Sequence, residues 1–309
     1  MAKLGDLVVR IGADTRGLNK SLGKVQRNMR SMTSNFTKLG TSMTRSITLP
    51  LAAIAGASLK LAVDFEGSMA KVKAVTGATT GEFKSLEETA KRLGATTVFT
   101  ASEVAGLMLE YGKLGFSTAQ INDAAEATLL LAQATGSDLV QAAEVAGSTL
   151  GGFGLAASET GRIADVMAAA FTGSALDINK FQDSMKFVAP VAKAAGVSLE
   201  EASAMLGVMA DSGIKGSQAG TALRRILQEL SGESGTVSEK LQKLSDKGLG
   251  VKDAFDEVGR NASSALLVLS EGVGDVTSFT TELEKSGGAA KAMADIMNDT
   301  AAGSLKKLT

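Results

Sequence analysis

The residues best placed to do chemistry are few. Glu233-Ser234 is a pair in which a lone glutamate could protonate a glycosidic oxygen as general acid. Gly23-Lys24 and Gly112-Lys113 begin like phosphate-binding loops, and Gly152-Phe-Gly154-Leu-Ala-Ala157 has the glycine spacing of a dinucleotide fingerprint. Each lacks a necessary partner. Neither Gly-Lys pair is followed by the Ser or Thr hydroxyl that completes a phosphate cradle. A helical pattern, not a strand, precedes Gly152. Glu233 lies in Ser231-Gly-Glu-Ser-Gly235, a linker composition that would leave it solvated. A glutamate acid needs burial to raise its pKa.

Composition narrows the field further. The 309 residues contain no histidine and no cysteine, which excludes serine-histidine triads, thiolate nucleophiles and Cys/His zinc sites. No catalytic, cofactor-binding or metal-binding residue is assigned, and the expectation is a protein that is not an enzyme. Pairs such as Glu87-Glu88 and Glu200-Glu201 read as first-turn acids that complement a helix dipole.

With chemistry set aside, the elements themselves carry the information. Two prolines in a chain rich in Ala, Leu, Glu, Lys and Met favour helix, because an interior proline costs a helix about 3 kcal/mol. The expected fold class is all-α, with at most a short N-terminal strand where Leu7, Val9 and Ile11 alternate with other residues. Aromatics make up 4% of the chain, so cores must be built from Ala, Leu, Val and Met, which allows close helix approach.

Residues 1–17 form an expected extended arm. Over 18–48, Leu18, Leu22, Val25, Met29, Met32, Phe36, Leu39 and Met43 recur at alternating steps of four and three. A seam with that 3.5-residue period suits a left-handed coiled coil, with Lys20, Lys24, Arg27, Arg30 and Lys38 outside it. An amphipathic helix lying on the chain's own core has the same pattern, and both readings stand. Residues 1–48 carry nine Lys/Arg against Asp6 and Asp14, a balance of +7, and the remainder carries −8. That basic stretch has no aromatic platform and no recognition helix, so no sequence-specific nucleic-acid binding is expected.

Residues 49–63 hold an apolar helix whose run from Leu49 to Leu59 is shorter than the roughly 20 residues of a membrane span. It reads as buried or, alternatively, as membrane-interacting. Across 64–232, Gly94, Gly115, Gly136, Gly154, Gly173, Gly196 and Gly213 fall at intervals of roughly 20 residues. Several precede an apolar residue (Phe116, Leu155, Val197, Ile214) and then a helix start: capping boxes at Thr100-Glu103, Ser117-Gln120 and Ser198-Glu201, and caps at Asp138 and Ser158. The expectation is a compact bundle of short helical hairpins. Apolar faces such as Ile121, Ala125, Leu129, Ala132 and Leu223, Ile226, Leu227, Leu230 should form its core. Residues 233–309 read as a charged helical extension, and the apolar-basic run opening at Leu305 makes the end look truncated.

Several motifs then line up with one family. Val63-Asp-Phe-Glu-Gly-Ser-Met69, Thr100-Ala-Ser-Glu-Val-Ala105, Leu131-Ala-Gln-Ala-Thr-Gly-Ser-Asp-Leu139, Phe153-Gly-Leu155 and Ala164-Asp-Val166 come first. Val188-Ala-Pro-Val-Ala-Lys-Ala-Ala-Gly196 and Met209-Ala-Asp-Ser-Gly-Ile-Lys-Gly-Ser-Gln-Ala-Gly-Thr-Ala-Leu-Arg224 follow, and the last is the most specific. In this order the sequence resembles the core region of phage tail tape-measure proteins. The resemblance implies a protein that scaffolds tail-tube polymerisation, sets tail length, lies in the virion tail-tube lumen as a multi-copy bundle and leaves during genome ejection. It also implies assembly in the host cytoplasm, with partners that include further copies of itself, the tail tube protein, tail assembly chaperones, tail tip or baseplate proteins and, during ejection, the host membrane. The compact region is expected either to engage chaperones or tube subunits, or to rearrange on packaging. Two other readings are a membrane-active, pore-forming helical protein and a prophage-derived cellular scaffold.

Overall fold

The computed structural model describes residues 49–231 and 235–298. They are mostly helical, with no strand among them, which bears out the all-α expectation. The expected arm, the Leu7–Ile11 strand, the heptad helix and the Glu233-Ser234 pair lie outside the described residues. The chain divides into two units, Met1–Val63 and Asp64–Thr309. Of the first, the described part is the opening of helix α1, Leu49–Thr76, with Pro50 in its first turn, where the missing N–H is harmless.

The second unit continues α1 and adds α2 (Thr80–Thr96), α3 (Ala101–Lys113), α4 (Thr118–Thr135), α5 (Leu139–Phe153), α6 (Thr160–Gly173), α7 (Ile178–Ala194), α8 (Leu199–Asp211) and α9 (Gly216–Leu230). It ends with α10 (Val237–Asp246), α11 (Val251–Val258), α12 (Ser263–Glu271), α13 (Val273–Glu284) and α14 (Ala289–Asn298).

Local chemistry sets the helix ends. Complete capping boxes open α3 at Thr100 and Glu103 and α4 at Ser117 and Gln120, and Asp138 caps α5. Two further boxes, Thr79-Glu82 and Thr236-Glu239, follow the same S/T-x-x-E rule. Ser198 caps α8, but its box stays open because Glu201 accepts instead from the Ser238 hydroxyl. Ser158 is no cap: it sits inside a single 3-10 turn, Ala157–Glu159, that leads into α6. Glu87 and Glu88 lie mid-helix in α2, where they pair with Lys91 and Lys84 one turn away, so Glu82 is that helix's first-turn acid.

At the other ends, the amides of Phe116, Leu155, Val197 and Ile214 reach back five residues to the carbonyls of Tyr111, Leu150, Ala192 and Met209, at 2.9–3.0 Å. The glycine before each has φ between 68° and 88°, a Schellman closure that only glycine adopts without strain. Gly94 and Gly173 mark close approaches instead: a β-carbon on Gly94 would lie 2.5 Å from the Ala101 nitrogen, and Gly173 faces the Phe279 ring.

Hairpins built this way stack in a regular manner. Thr118 bonds Glu82, Asn122 bonds Ser85, Gln141 bonds Asn179 and Arg162 bonds Glu200, at separations of 36, 37, 38 and 38 residues. In each pair both residues lie near helix N-termini, so each helix runs parallel to its second neighbour. One layer is α2, α4, α6, α8 and the other is α3, α5, α7, α9. Two glycine-to-glycine intervals make one such step, which is how the sequence spacing becomes architecture.

The expected apolar faces are buried: Ile121, Ala125, Leu129 and Ala132 are at most 1% exposed, and Leu223, Ile226, Leu227 and Leu230 are also enclosed. One continuous core runs from Met69 to Ala290. The described helices of the charged extension share it: α14 packs on α4 and α6, and α13 on α8. Most of the charge of that stretch is on its outer faces, Lys240 being the buried exception that donates to the Leu230 carbonyl oxygen, while Leu266, Leu269, Val276 and Leu283 point inward.

Candidate functional site

The residues tested for chemistry are placed by packing. Gly152 faces α7 so closely that a β-carbon would come within 2.6 Å of Ala189 Cβ, and Gly154 is the left-handed closure of α5. The fingerprint spacing is therefore a helix end followed by a turn, with no strand to present a phosphate. Gly112-Lys113 ends α3, with Gly112 buried. Among the described residues, no group of three or more Asp and Glu side chains is arranged to hold a metal ion.

Two sets of buried polar groups lock helices together. Thr128 donates to the Ala124 carbonyl at 2.8 Å and accepts from Tyr111, whose hydroxyl lies 2.6 Å away in the core between α3 and α4. Burial pushes the Tyr111 phenol well above its ordinary pKa, so it remains a neutral donor. Within the layer of α2, α4, α6 and α8, Arg162 grips Glu200 through two parallel bonds of 2.6 and 2.7 Å, and it also reaches Glu159 at 3.2 Å. The Glu200 side chain is 4% exposed, so its charge depends on that fork. The hydrogen bond to Glu200 is the main reason the Arg162 guanidinium holds its proton even more firmly than usual.

What the body offers to a partner is surface. Phe279 of α13 inserts its ring beside two glycines: a β-carbon on Gly207 would meet the ring at 2.6 Å, and one on Gly173 at 2.8 Å. Asp165 of α6 accepts the amides of Gly288 and Ala290 at 2.9 and 3.0 Å, capping α14 from 123 and 125 residues away. Between α6, α13 and α14 an apolar groove of about 420 Å³ remains, floored by Ala169 and Gly173 and walled by Phe279, Leu283 and Met293. Ile296, 70% exposed, extends it to the surface. Sequence reasoning missed this clasp. A long-range carboxylate cap leaves no local spacing, although an unexplained Gly287-Gly288 pair before an alanine-rich helix could have prompted a search for one.

A body of stacked helices held by caps and internal ion pairs is consistent with a structural role, and comparison with known proteins decides which kind. A family model described as phage-related minor tail protein matches residues 87–308. The chain belongs to the phage-related minor tail protein family. Two curated relatives of this minor tail protein chain cover nearly all of it. The tape measure protein of Pneumococcus phage Dp-1 is 34% identical over 95% of the chain and 28% of its own length. The probable tape measure protein of Escherichia phage P2 is 26% identical over 97% of the chain and 41% of its own length. The chain thus spans less than half the length of either relative. No solved structure matches it. Membership of the minor tail protein family gives the chain a structural role in a phage tail, as the resemblance in the core motifs led one to expect.

Proposed function

We propose that this chain acts within a tail tape-measure protein that scaffolds tail-tube assembly, sets tail length and is released during genome ejection. The observation that carries the reading is similarity along 95% and 97% of the chain to proteins named as tape measures. The physical basis is simple. Helix rises about 1.5 Å per residue, so the amount of chain can be converted into length, and no covalent bond need be made or broken. Its proposed setting is the tail-tube lumen, after assembly in the host cytoplasm. Its proposed partners are further copies of itself, the tube protein, assembly chaperones, tip or baseplate proteins and, during ejection, the host membrane.

In-frame deletions in the helical part of the complete gene, followed by electron microscopy of tails, test the ruler. Tails that shorten by about 1.5 Å per deleted residue support it, and tails of unchanged length refute it. A membrane-active role is motivated by the apolar run Leu49–Leu59 and the basic segment ahead of it. Among the described residues no helix is long and apolar enough to cross a membrane. Dye release from liposomes by the purified chain would favour that second reading.

A further inference from the structure

Helix α14 carries two apolar faces, and the body uses one of them. Ala290 and Ala294 are at most 1% exposed, on the side that packs on α4 and α6. Ala289, Ala292, Met293 and Ile296 follow the i, i+3, i+4, i+7 spacing of a second helical stripe, and they line the open groove of about 420 Å³ beside α13. Phe279 and Leu283 of α13 stand opposite. Ile296 sits at the mouth of this groove without filling it and is 70% exposed. An apolar hole and an apolar knob therefore lie side by side on one surface.

Such a surface fits itself. Turned by a twofold rotation, a second copy offers its knob to this hole and its hole to this knob, and the alanines of the stripe let two helices approach closely. The charges at the edge are self-complementary as well. Glu282 lines the groove, and Lys285 follows one turn on along the same side of α13. Among the described residues neither side chain is engaged in an ion pair or a hydrogen bond. The other charges nearby are accounted for: Glu284 lies across the helix, Asp275 is two turns away at the helix N-terminus, where the dipole favours it, and Lys291 neutralises Asp295 at 2.9 Å. A twofold contact satisfies one acid and one base at once, Glu282 of each copy meeting Lys285 of the other. A partner of a single charge sign would leave one of the two bare.

We propose that this face pairs two copies of the chain, with Ile296 of each seated against Ala289, Ala292 and Phe279 of the other. The inference rests on the self-association put forward above and gives it a surface. Copies that meet elsewhere would fail the test below while deletions still shortened the tail, so the two failures can be told apart.

The test uses the full chain, which has no cysteine of its own, so introduced thiols report position. Two differently tagged copies, one A289C and the other I296C, are mixed and treated with a short bis-maleimide, and a cross-linked heterodimer is expected on a denaturing gel. V251C, at a residue 72% exposed and outside the groove, replaces I296C as the control for random collision. E282K in both copies sets like charges together and should lower the yield about fivefold or more, while E282K/K285E restores opposite signs and the yield with them. Circular dichroism confirms that each variant remains folded. A yield no higher than the V251C control overturns the proposal, and so does a yield that ignores E282K or is not rescued by the double swap. Shielding of I296C from a maleimide in the dilute monomer also overturns it, because the groove would then be filled by the chain's own residues.

Discussion

Gly220 of α9 lies so close to Ser184 of α7 that a β-carbon would sit 2.6 Å from the Ser184 carbonyl oxygen and 2.8 Å from its Cα. The Ser184 hydroxyl is 2.8 Å from both the Lys180 and the Gly216 carbonyl oxygens, so it ties the two helices at the same point. Backbone cannot yield as a flexible side chain can. Gly220→Ala should therefore destabilise the body by about 1–3 kcal/mol. Gly151 provides the contrast: it is helical, and a β-carbon there meets nothing within 4 Å. Gly151→Ala should be neutral or gain up to about 1 kcal/mol. Thermal melts of the two variants decide, and equal melting temperatures would remove the steric argument.

The Arg162–Glu200 fork predicts an asymmetry between single and double substitution. Arg162→Ala strands a carboxylate that is 4% exposed and should cost about 3 kcal/mol. Replacing both partners by methionine removes the buried charge along with its counterion, and it should cost less than R162A alone. Urea titrations of the set provide the comparison. A double variant weaker than R162A would mean that the pair contributes net stability beyond satisfying Glu200.

Acid sensitivity follows from two carboxylates. The Thr79 hydroxyl holds Glu82 below its ordinary 4.5, helped by the Thr79 amide and the Thr118 hydroxyl. Burial works to raise Asp177, but hydrogen bonds and charge from Lys180 outweigh it, and the carboxyl ends below 3.8. A depressed folded-state pKa means that the stabilisation is complete above those ordinary values and is lost as pH falls through the lower folded ones. With no histidine in the chain, no side-chain type present has its ordinary pKa between about pH 5.5 and 8. Melting temperature should be flat across that interval and fall below about pH 4, and E82Q/D177N should shallow the acid limb. A midpoint near neutrality would contradict this.

Removing the Asp165 cap should loosen α14 selectively. Asp165→Ala leaves two helix-start amides unpaired, a loss of about 1 kcal/mol. Hydrogen exchange is expected to accelerate over Ala289–Asn298 while α2 to α5 keep their protection. Phe279→Ala should do the same for α13. Uniform acceleration through the whole unit would show that these helices are not a separable layer.

The helix ends were legible in the sequence because their chemistry is local. A threonine three residues before a glutamate, or a glycine before an apolar residue, closes its own hydrogen bonds without help from elsewhere. Ser158 was misleading for the same reason: a hydroxyl at the right place still needs a following amide in helical geometry, and a 3-10 turn took that place. Glu201 had the right spacing but found a better donor in Ser238. The stacking step, the Phe279 slot between Gly173 and Gly207 and the Asp165 cap depend on partners 36 to 125 residues away. No short window contains both halves of such contacts.

The distant cap sets an order of events during synthesis. Each helix of the two layers finds its second neighbour within about forty residues, so a nascent chain can build α2 to α9 progressively as it leaves the ribosome. Asp165 must wait for Gly288, and Thr172 for Met293, 121 residues later. Until α14 emerges, the sides of α4 and α6 that it covers stay open, and for that interval the half-made chain presents apolar surface that the finished body encloses.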